Sequence, residues 1–521
     1  MQFIVFAAFA IVLSIPDAGP PWHTIQSPLW TWVITLGQVP LATLVAAFYT
    51  RRVMIKLDRE PGWLPGAQRK LAQGNAAVRA TLVIGLCASL YLTDVSVAVR
   101  RWPVVDRIFG LDEMLLLLPL LLGIVTSWAM LYPADRAVRR VSIELQLWAS
   151  VPAHPIWSLR AYLSFMLRQN VLIILVPMLP IVVANDAVDV YGPQIRRLFH
   201  LAWADQAVLV AIAGIVFFFA PVLLRFIWHT RPLPQGALRS RLESLCRRIG
   251  LTYRKILIWE SDGMVVNAAV MGLLSPVRYI LLSDGLLEMM DDEKIEAVFG
   301  HEAGHIKCRH MQYYLLFAIL SMLIVGGLAE LAAWLSPGLR RAGSPFEDYF
   351  QVGAMGGIVL IWLFGFGAVS RRFEWQADLF GARSVTPPPD RCTLPCLHHG
   401  TAQVLGPDPA PPSPAGAVCA AGANLFADAL TRIAVLNGIP LEARSWRHSS
   451  IANRVRFLRE YARDPLKSAR LERGVRAIKA FLLIGVLIGL AIGLKLYWPA
   501  PPRNPVHLPK HPTINAQTYR V

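Results

Sequence analysis

The ten residues FGHEAGHIKC, from Phe299 to Cys308, contain an H-E-x-x-H made by His301, Glu302 and His305. On a helix, positions i and i+4 lie one turn apart on the same face, so His301 and His305 can present their imidazoles to one zinc ion. Glu302, beside the first of them, is placed to take a proton from a water that the ion activates. The same five-residue pattern also occurs in chains where both histidines are merely solvated helix residues. Here the neighbourhood argues for a buried metal helix: Val298, Phe299, Ala303, Gly304 and Ile306 make the flanks apolar or small. Asp291 and Asp292 supply a cap before Ile295, Ala297 and Val298 begin the periodic face.

A catalytic zinc site usually takes three protein ligands and leaves one position for water. A third histidine at the metzincin spacing is excluded, because that position is Met311 and the nearby His310 is out of phase with it. Downstream, RRFEWQADLFGA (Arg371 to Ala382) carries Glu374 and, one helical turn later, Asp378. Such a pair can give one carboxylate to the metal and use the other to hold a ligating imidazole. Alone it would read as a solvated acidic face beside Arg371 and Arg372; paired with the first motif, the ligand reading is favoured.

Four ordered segments then resemble the integral-membrane zinc metallopeptidases that include the type I CaaX prenyl endopeptidase and the heat-shock protease HtpX. They are VVNAAVMGLLSPVRYILLSDGLL (Val265 to Leu287), IEAVFGHEAGHIKCRH (Ile295 to His310), FEWQADLFGA (Phe373 to Ala382) and RHSSIANRVRFL (Arg447 to Leu458). The resemblance runs from about Arg239 to Leu458 with one insert, and Ser449 stands where the family has proline. It implies one zinc per chain held by His301, His305 and Glu374, with Glu302 as general base and Asp378 as the partner of a ligand. It also implies that His448 and Arg454 lie near the active site and steady an oxyanion. Asn267 and Ala268 resemble the strand that runs beside a zincin's metal helix and pairs with extended substrate through backbone groups.

The rest of the chain supplies a membrane. With 55% hydrophobic and only 16% charged residues, 521 residues are too apolar for an ordinary soluble globule. Stretches near the roughly 20 residues needed to cross a bilayer occur at 29–49, 80–99, 114–132, 162–183, 207–228, 313–335, 352–369 and 480–498. Phe3 to Ile15 is a ninth candidate, short and without a basic flank, and reads as an uncleaved first helix. The expected fold is mainly α: a polytopic helical membrane protein of about 8–9 spans with a cytoplasmic zincin-like α+β metallopeptidase core.

Its expected organisation is an N-terminal membrane region (1–230), a first part of the core (231–312) and a transmembrane hairpin (313–370). The second motif helix (371–383), an insert (384–421), the rest of the core (422–475), a last span (476–498) and a tail (499–521) follow. Leu238, Leu242, Leu245 and Ile249 predict a helix that stops at Gly250, while Lys255 to Trp259 and Val265 to Val270 predict short strands.

The formal net charge of +17 invites a nucleic-acid reading, but the basic residues sit in alternate loops. Arg51, Arg52, Lys56, Arg59, Arg69 and Lys70 follow one span, and Arg136, Arg139 and Arg140 follow another, whereas the intervening loops mix both signs. That is positive-inside patterning. It predicts a multi-pass protein of the cell membrane, its active site facing the cytoplasm, whose partners are lipid and protein or peptide substrates rather than nucleic acid.

Membrane-associated or misfolded proteins are the expected substrates, with prenylated CaaX proteins as the alternative. An intramembrane site-2 protease also uses H-E-x-x-H, but here that motif precedes its span. A catalytically silent scaffold of the same fold would not need Glu302, and a metal transporter should line its spans with ligands. Charged residues inside spans are costly and often functional; Glu330 is the clearest, followed by Asp94 and Arg168. The insert is rich in proline and holds Cys392, Cys396, His398, His399 and Cys419. This cluster can bind a second zinc, but no second pair follows at finger spacing, so the stretch reads as a mobile cytoplasmic loop with reduced thiols.

Overall fold

The computed structural model describes residues 2–13, 15, 24–60, 63–148, 156–201, 203–335, 353, 356–392, 394, 396, 398–399, 417–443, 445 and 447–497. The tail at 499–521 and most of the insert lie outside them. The amino-terminal half is a bundle. A short apolar helix α1 (Gln2–Leu13) is followed by the long α2 (Pro28–Arg59) and α3 (Leu64–Leu92), the brief α4 (Val95–Arg100) and α5 (Leu111–Trp148). Then α6 (Leu159–Leu167) runs through a π turn at Arg168–Leu172 into α7 (Ile173–Phe199), and α8 (Ala204–Ile227) closes the region. Leu82, Leu86, Leu117, Leu120, Ile124 and Trp128 fill its interior, while Leu44, Ile84, Val210 and Phe217 point outward. Large apolar side chains on both the inner and outer faces are what a lipid-facing bundle needs.

Among the described residues eight helices are long and apolar enough to cross a membrane, and each overlaps a span expected from hydropathy. The chain is a polytopic helical membrane protein. Several helices run well past the expected stretches, and the span expected over 80–99 is the helix 64–92, which breaks at Thr93 and Asp94. The break has a local cause. Thr93 turns its hydroxyl onto the carbonyl of Ser89, and Asp94 accepts a hydrogen bond from Thr31 on α2 at 2.6 Å, so the charged residue sits at the break between two helices with its carboxylate partnered. Arg168 likewise finds a partner, 2.6 Å from the His229 ring nitrogen. Glu330 lies on a span and is partly buried.

A four-stranded sheet follows the bundle. Strands β1 (Thr230–Pro232), β2 (Lys255–Trp259), β3 (Ala268–Met271) and β4 (Tyr279–Ser283) are ordered β1-β2-β4-β3, with β2 and β4 parallel. The strand expected over 265–270 begins later, because the backbone before it is bonded elsewhere. Val265 N–H donates to Ser261, and both backbone groups of Val266 are clamped by the side-chain amide of Asn437. Helix α9 (Ala237–Ile249) covers the sheet with Leu242 and Leu245 and ends at Gly250, whose φ of +62° is the left-handed stop of a helix.

After α10 (Asp284–Met289) comes α11 (Asp292–Lys307), capped by Asp291, which accepts from Lys294 N–H at 3.0 Å. The chain breaks at Cys308–Arg309 and enters the apolar α12 (His310–Leu335). It returns through a π segment, Ile361–Phe366, into α13 (Gly367–Ser384). Helices α14 (Ala420–Leu436), α15 (Ile451–Arg463) and α16 (Pro465–Tyr497) complete the protein. Leu282, Leu286, Phe299, Ala303, Phe373, Leu379, Phe426 and Leu458 make one core that joins sheet, α11, α13, α14 and α15.

Candidate metal centre

Helices α11 and α13 pack with almost no side chain between them. A Cβ on Gly304 would stand 3.0 Å from Phe380 Cβ and 3.2 Å from Ala377 Cα, and one on Gly381 would meet the backbone of His301 at 3.0 Å. This small-residue crossing lets two motifs separated by a membrane hairpin share a face. At their crossing the Nε2 atoms of His301 and His305 are 3.3 Å apart. Glu374 lies 3.7 Å from the first and 3.5 Å from the second. His301 and Glu374 are buried, and His305 is partly so.

The proton positions follow from the neighbours. His301 Nδ1 faces the Asp378 carboxylate at 2.9 Å, which can only accept, so Nδ1 carries the hydrogen and Nε2 keeps its lone pair. On the other side, Lys479 donates to Gln376 Oε1 at 3.1 Å, so the atom facing His310 Nε2 at 2.9 Å is an oxygen and that nitrogen donates. His310 Nδ1 is then an acceptor for His305 Nδ1–H at 3.0 Å, which leaves His305 Nε2 with its lone pair as well. Two lone pairs and a carboxylate thus converge on one point, an arrangement that repels itself unless a cation lies between them.

Charge balance agrees with this. Burial, with the charge of neighbouring His301, pulls His305 down to about 4, so it is neutral at physiological pH. Burial also opposes a charged His301, but Asp378 overrides it and makes that ring more basic. Glu302, next in the chain to His301, has its carboxyl raised to about 7 by burial. A carboxylate with a pKa near ambient pH is suited to taking a proton and giving it back.

The other expected residues divide. Arg454 is buried and directs its fork at Asp378, donating through Nε at 2.9 Å and through Nη2; it reaches Glu374 only at 3.9 Å. His448 is half exposed and its Nδ1 donates to Glu374 at 3.0 Å. Ser449 adopts a φ of +66°, which proline cannot, so the residue that departs from the family pattern has its own backbone shape. Ala268 is buried in β3, which pairs with β4 on one side and forms the end of the sheet, and Asn267 is exposed just before it. Sequence reasoning missed His310, Gln376 and Lys479. Gln376 stands inside the second motif, and that was the available signal. It also missed Phe426, whose ring stacks on His301 at 5.6 Å.

Fold and site together are those of a polytopic helical membrane protein with a buried candidate metal centre. Residues 232–393 match the model of Peptidase family M48. A CAAX prenyl protease 1 homolog of Arabidopsis thaliana is 26% identical over 197 residues, 35% of this chain and 44% of the relative. A Protease HtpX homolog of Pyrobaculum aerophilum is 33% identical over 180 residues, 34% of this chain and 50% of the relative. These comparisons bear out the resemblance read from the four sequence segments: over residues 232–393 the chain is similar to Peptidase family M48 and to its CAAX prenyl protease and HtpX relatives. The match spans about half the length of these curated relatives. A solved structure of S. mikatae Ste24p is 14% identical, with a TM-score of 0.42 over 84% of this chain and 100% of that one.

Proposed function

We propose that the protein is a zinc-dependent endopeptidase that hydrolyses peptide bonds of membrane-associated or misfolded proteins at the cytoplasmic face of the cell membrane. The observation that carries this reading is the convergence of His301 Nε2, His305 Nε2 and Glu374 beside Glu302. Two nitrogens each about 2.0–2.1 Å from a tetrahedral zinc stand about 3.3 Å apart, and the two imidazoles have that separation. Three protein donors leave one position for water, as catalytic zinc sites do. When bound, zinc would polarise the scissile carbonyl and lower the pKa of water to about 7.

The chain's own residues do the rest. Glu302 accepts the proton of the attacking water and passes it to the leaving amine. Asp378 and His310 hold the two imidazoles in the tautomers that ligate, and Arg454 holds Asp378. His448, half exposed beside Glu374, is the group available to steady the oxyanion. Of the two expected substrate-binding residues, Asn267 spends both backbone groups on Ser283, so the backbone on the free side of β3 at Ala268 is what is offered to an extended substrate. The cytoplasmic assignment rests on the alternating basic loops of the bundle.

Glu302→Gln keeps shape and donor set but removes the base, so zinc should be retained while casein hydrolysis falls by several orders of magnitude. Glu374→Ala should lose most of the zinc at this site. Near-normal turnover in the first variant, or zinc and activity retained in the second, would exclude these roles.

A further inference from the structure

A second set of donors lies away from this centre, on the two ends of the insert. The sequence places Cys392 and Cys396 in a C-x3-C-x2-H with His399, and Cys419 follows. The structure brings one atom from each within 4.8 Å of all the others. Cys392 Sγ is 3.7 Å from Cys419 Sγ, and Cys419 Sγ is 3.9 Å from His399 Nδ1. A disulfide needs its sulfurs about 2.05 Å apart, so Cys392 and Cys419 are unlinked thiols. Two sulfurs each about 2.3 Å from a tetrahedral zinc stand about 3.8 Å apart, and a sulfur and a nitrogen about 3.6 Å.

Local structure explains the assembly. A 3-10 turn at Pro389–Arg391 delivers Cys392, and Cys419 is the residue before the first turn of α14. The first amide of that helix, Ala420 N–H, donates to Cys396 Sγ at 3.4 Å. All three cysteines are buried, at 2%, 4% and 0% exposure, although they belong to a stretch whose composition is that of an open loop. A zinc ion with three thiolates and one imidazole carries a net negative charge, which a helix N-terminus favours.

We propose that Cys392, Cys396, His399 and Cys419 bind a second zinc ion, with a structural role. Binding releases the three thiol protons and takes the lone pair of one imidazole nitrogen. Four protein donors close the coordination sphere, in contrast to the three of the first centre, so no position remains for a reacting water. The ion ties the chain leaving α13 to the start of α14. That helix backs the first centre: Phe426 stacks on His301, and Gly422 lies so close to the Ala382 carbonyl that a Cβ there would collide with it.

The test is metal content and thiol protection of the full-length chain purified in detergent. Wild-type protein should hold two zinc ions, and His301→Ala/Glu374→Ala should hold one. In that double variant, replacement of the remaining ion by cobalt should produce thiolate-to-cobalt charge-transfer absorption, and Cys396→Ser should abolish it. Should Cys396→Ser fail to fold, alkylation of the wild type decides: Cys392, Cys396 and Cys419 should resist iodoacetamide until a chelator is added. Absence of zinc from a folded double variant, equal alkylation with and without chelator, or a Cys392–Cys419 disulfide in the non-reduced peptide map would overturn the proposal. Failure of the first centre alone would instead leave wild-type protein with a single ion of thiolate character.

Discussion

Single residues set the state of the proposed ligands. His310 is fully buried, stacked 4.4 Å from the Phe373 ring, and bonded to His305 on one side and Gln376 on the other. Its role is to take the Nδ1 hydrogen of His305, so that the opposite nitrogen is available to the metal. Partners of this kind typically contribute 10–100-fold in metal affinity or activity. His310→Ala should therefore weaken zinc binding at the first centre by about 10–100-fold in a competition with a chelating dye, while leaving the glutamate base in place. Unchanged affinity would mean that His305 is oriented by its helix alone. The sequence placed His310 only by exclusion, since its meaning depends on Gln376 and Lys479, which arrive from helices far along the chain.

At the scale of elements, the site depends on how closely α11 approaches α13. Gly304 sits in that crossing, where an added methyl group meets Phe380 Cβ and the backbone of Ala377. A backbone cannot yield as a flexible side chain does, and overpacking typically costs about 1–3 kcal/mol. Gly304→Ala should push Glu374 away from the histidines, lowering zinc affinity and the thermal midpoint together. Gly474, in α16, has open space where its Cβ would be. Gly474→Ala should be neutral or stabilising by about 0.5–1 kcal/mol, and serves as the control. If both variants behave alike, the close crossing is not what holds the site. The motif letters alone show small residues at Gly300, Gly304 and Gly381, but not that they face one another.

For the whole molecule, the position of the proposed centre relative to the membrane limits where substrates are cut. Glu374 follows the apolar stretch that ends at Val369 by about 8 Å of helix, and His305 is separated from α12 only by the turn at Cys308 and Arg309. Substrates held in the bilayer should be cleaved within a short stretch of their cytosolic anchor, and mass spectrometry of product termini reads this directly. Cuts confined to the opposite side of the membrane would overturn the topology, and cuts in the middle of spans would favour an intramembrane protease.

What the sequence determined by itself is local and periodic. Eight spans are legible because about 20 apolar residues in a row have no alternative to crossing a bilayer. The Asp291 cap, the stop at Gly250 and the strand Lys255–Trp259 are legible because each depends on near neighbours. Composition describes the insert as a proline-rich loop but says nothing of its ends, which the fold brings together at Cys392 and Cys419. Tertiary structure alone decided the start of β3, since Asn437 clamps Val266 from a distant helix. It also decided that Arg454 holds Asp378 and that His310 supports His305. A side chain's hydrogen-bond partners are chosen by which elements pack beside it, and that choice is not encoded in any short stretch of the chain.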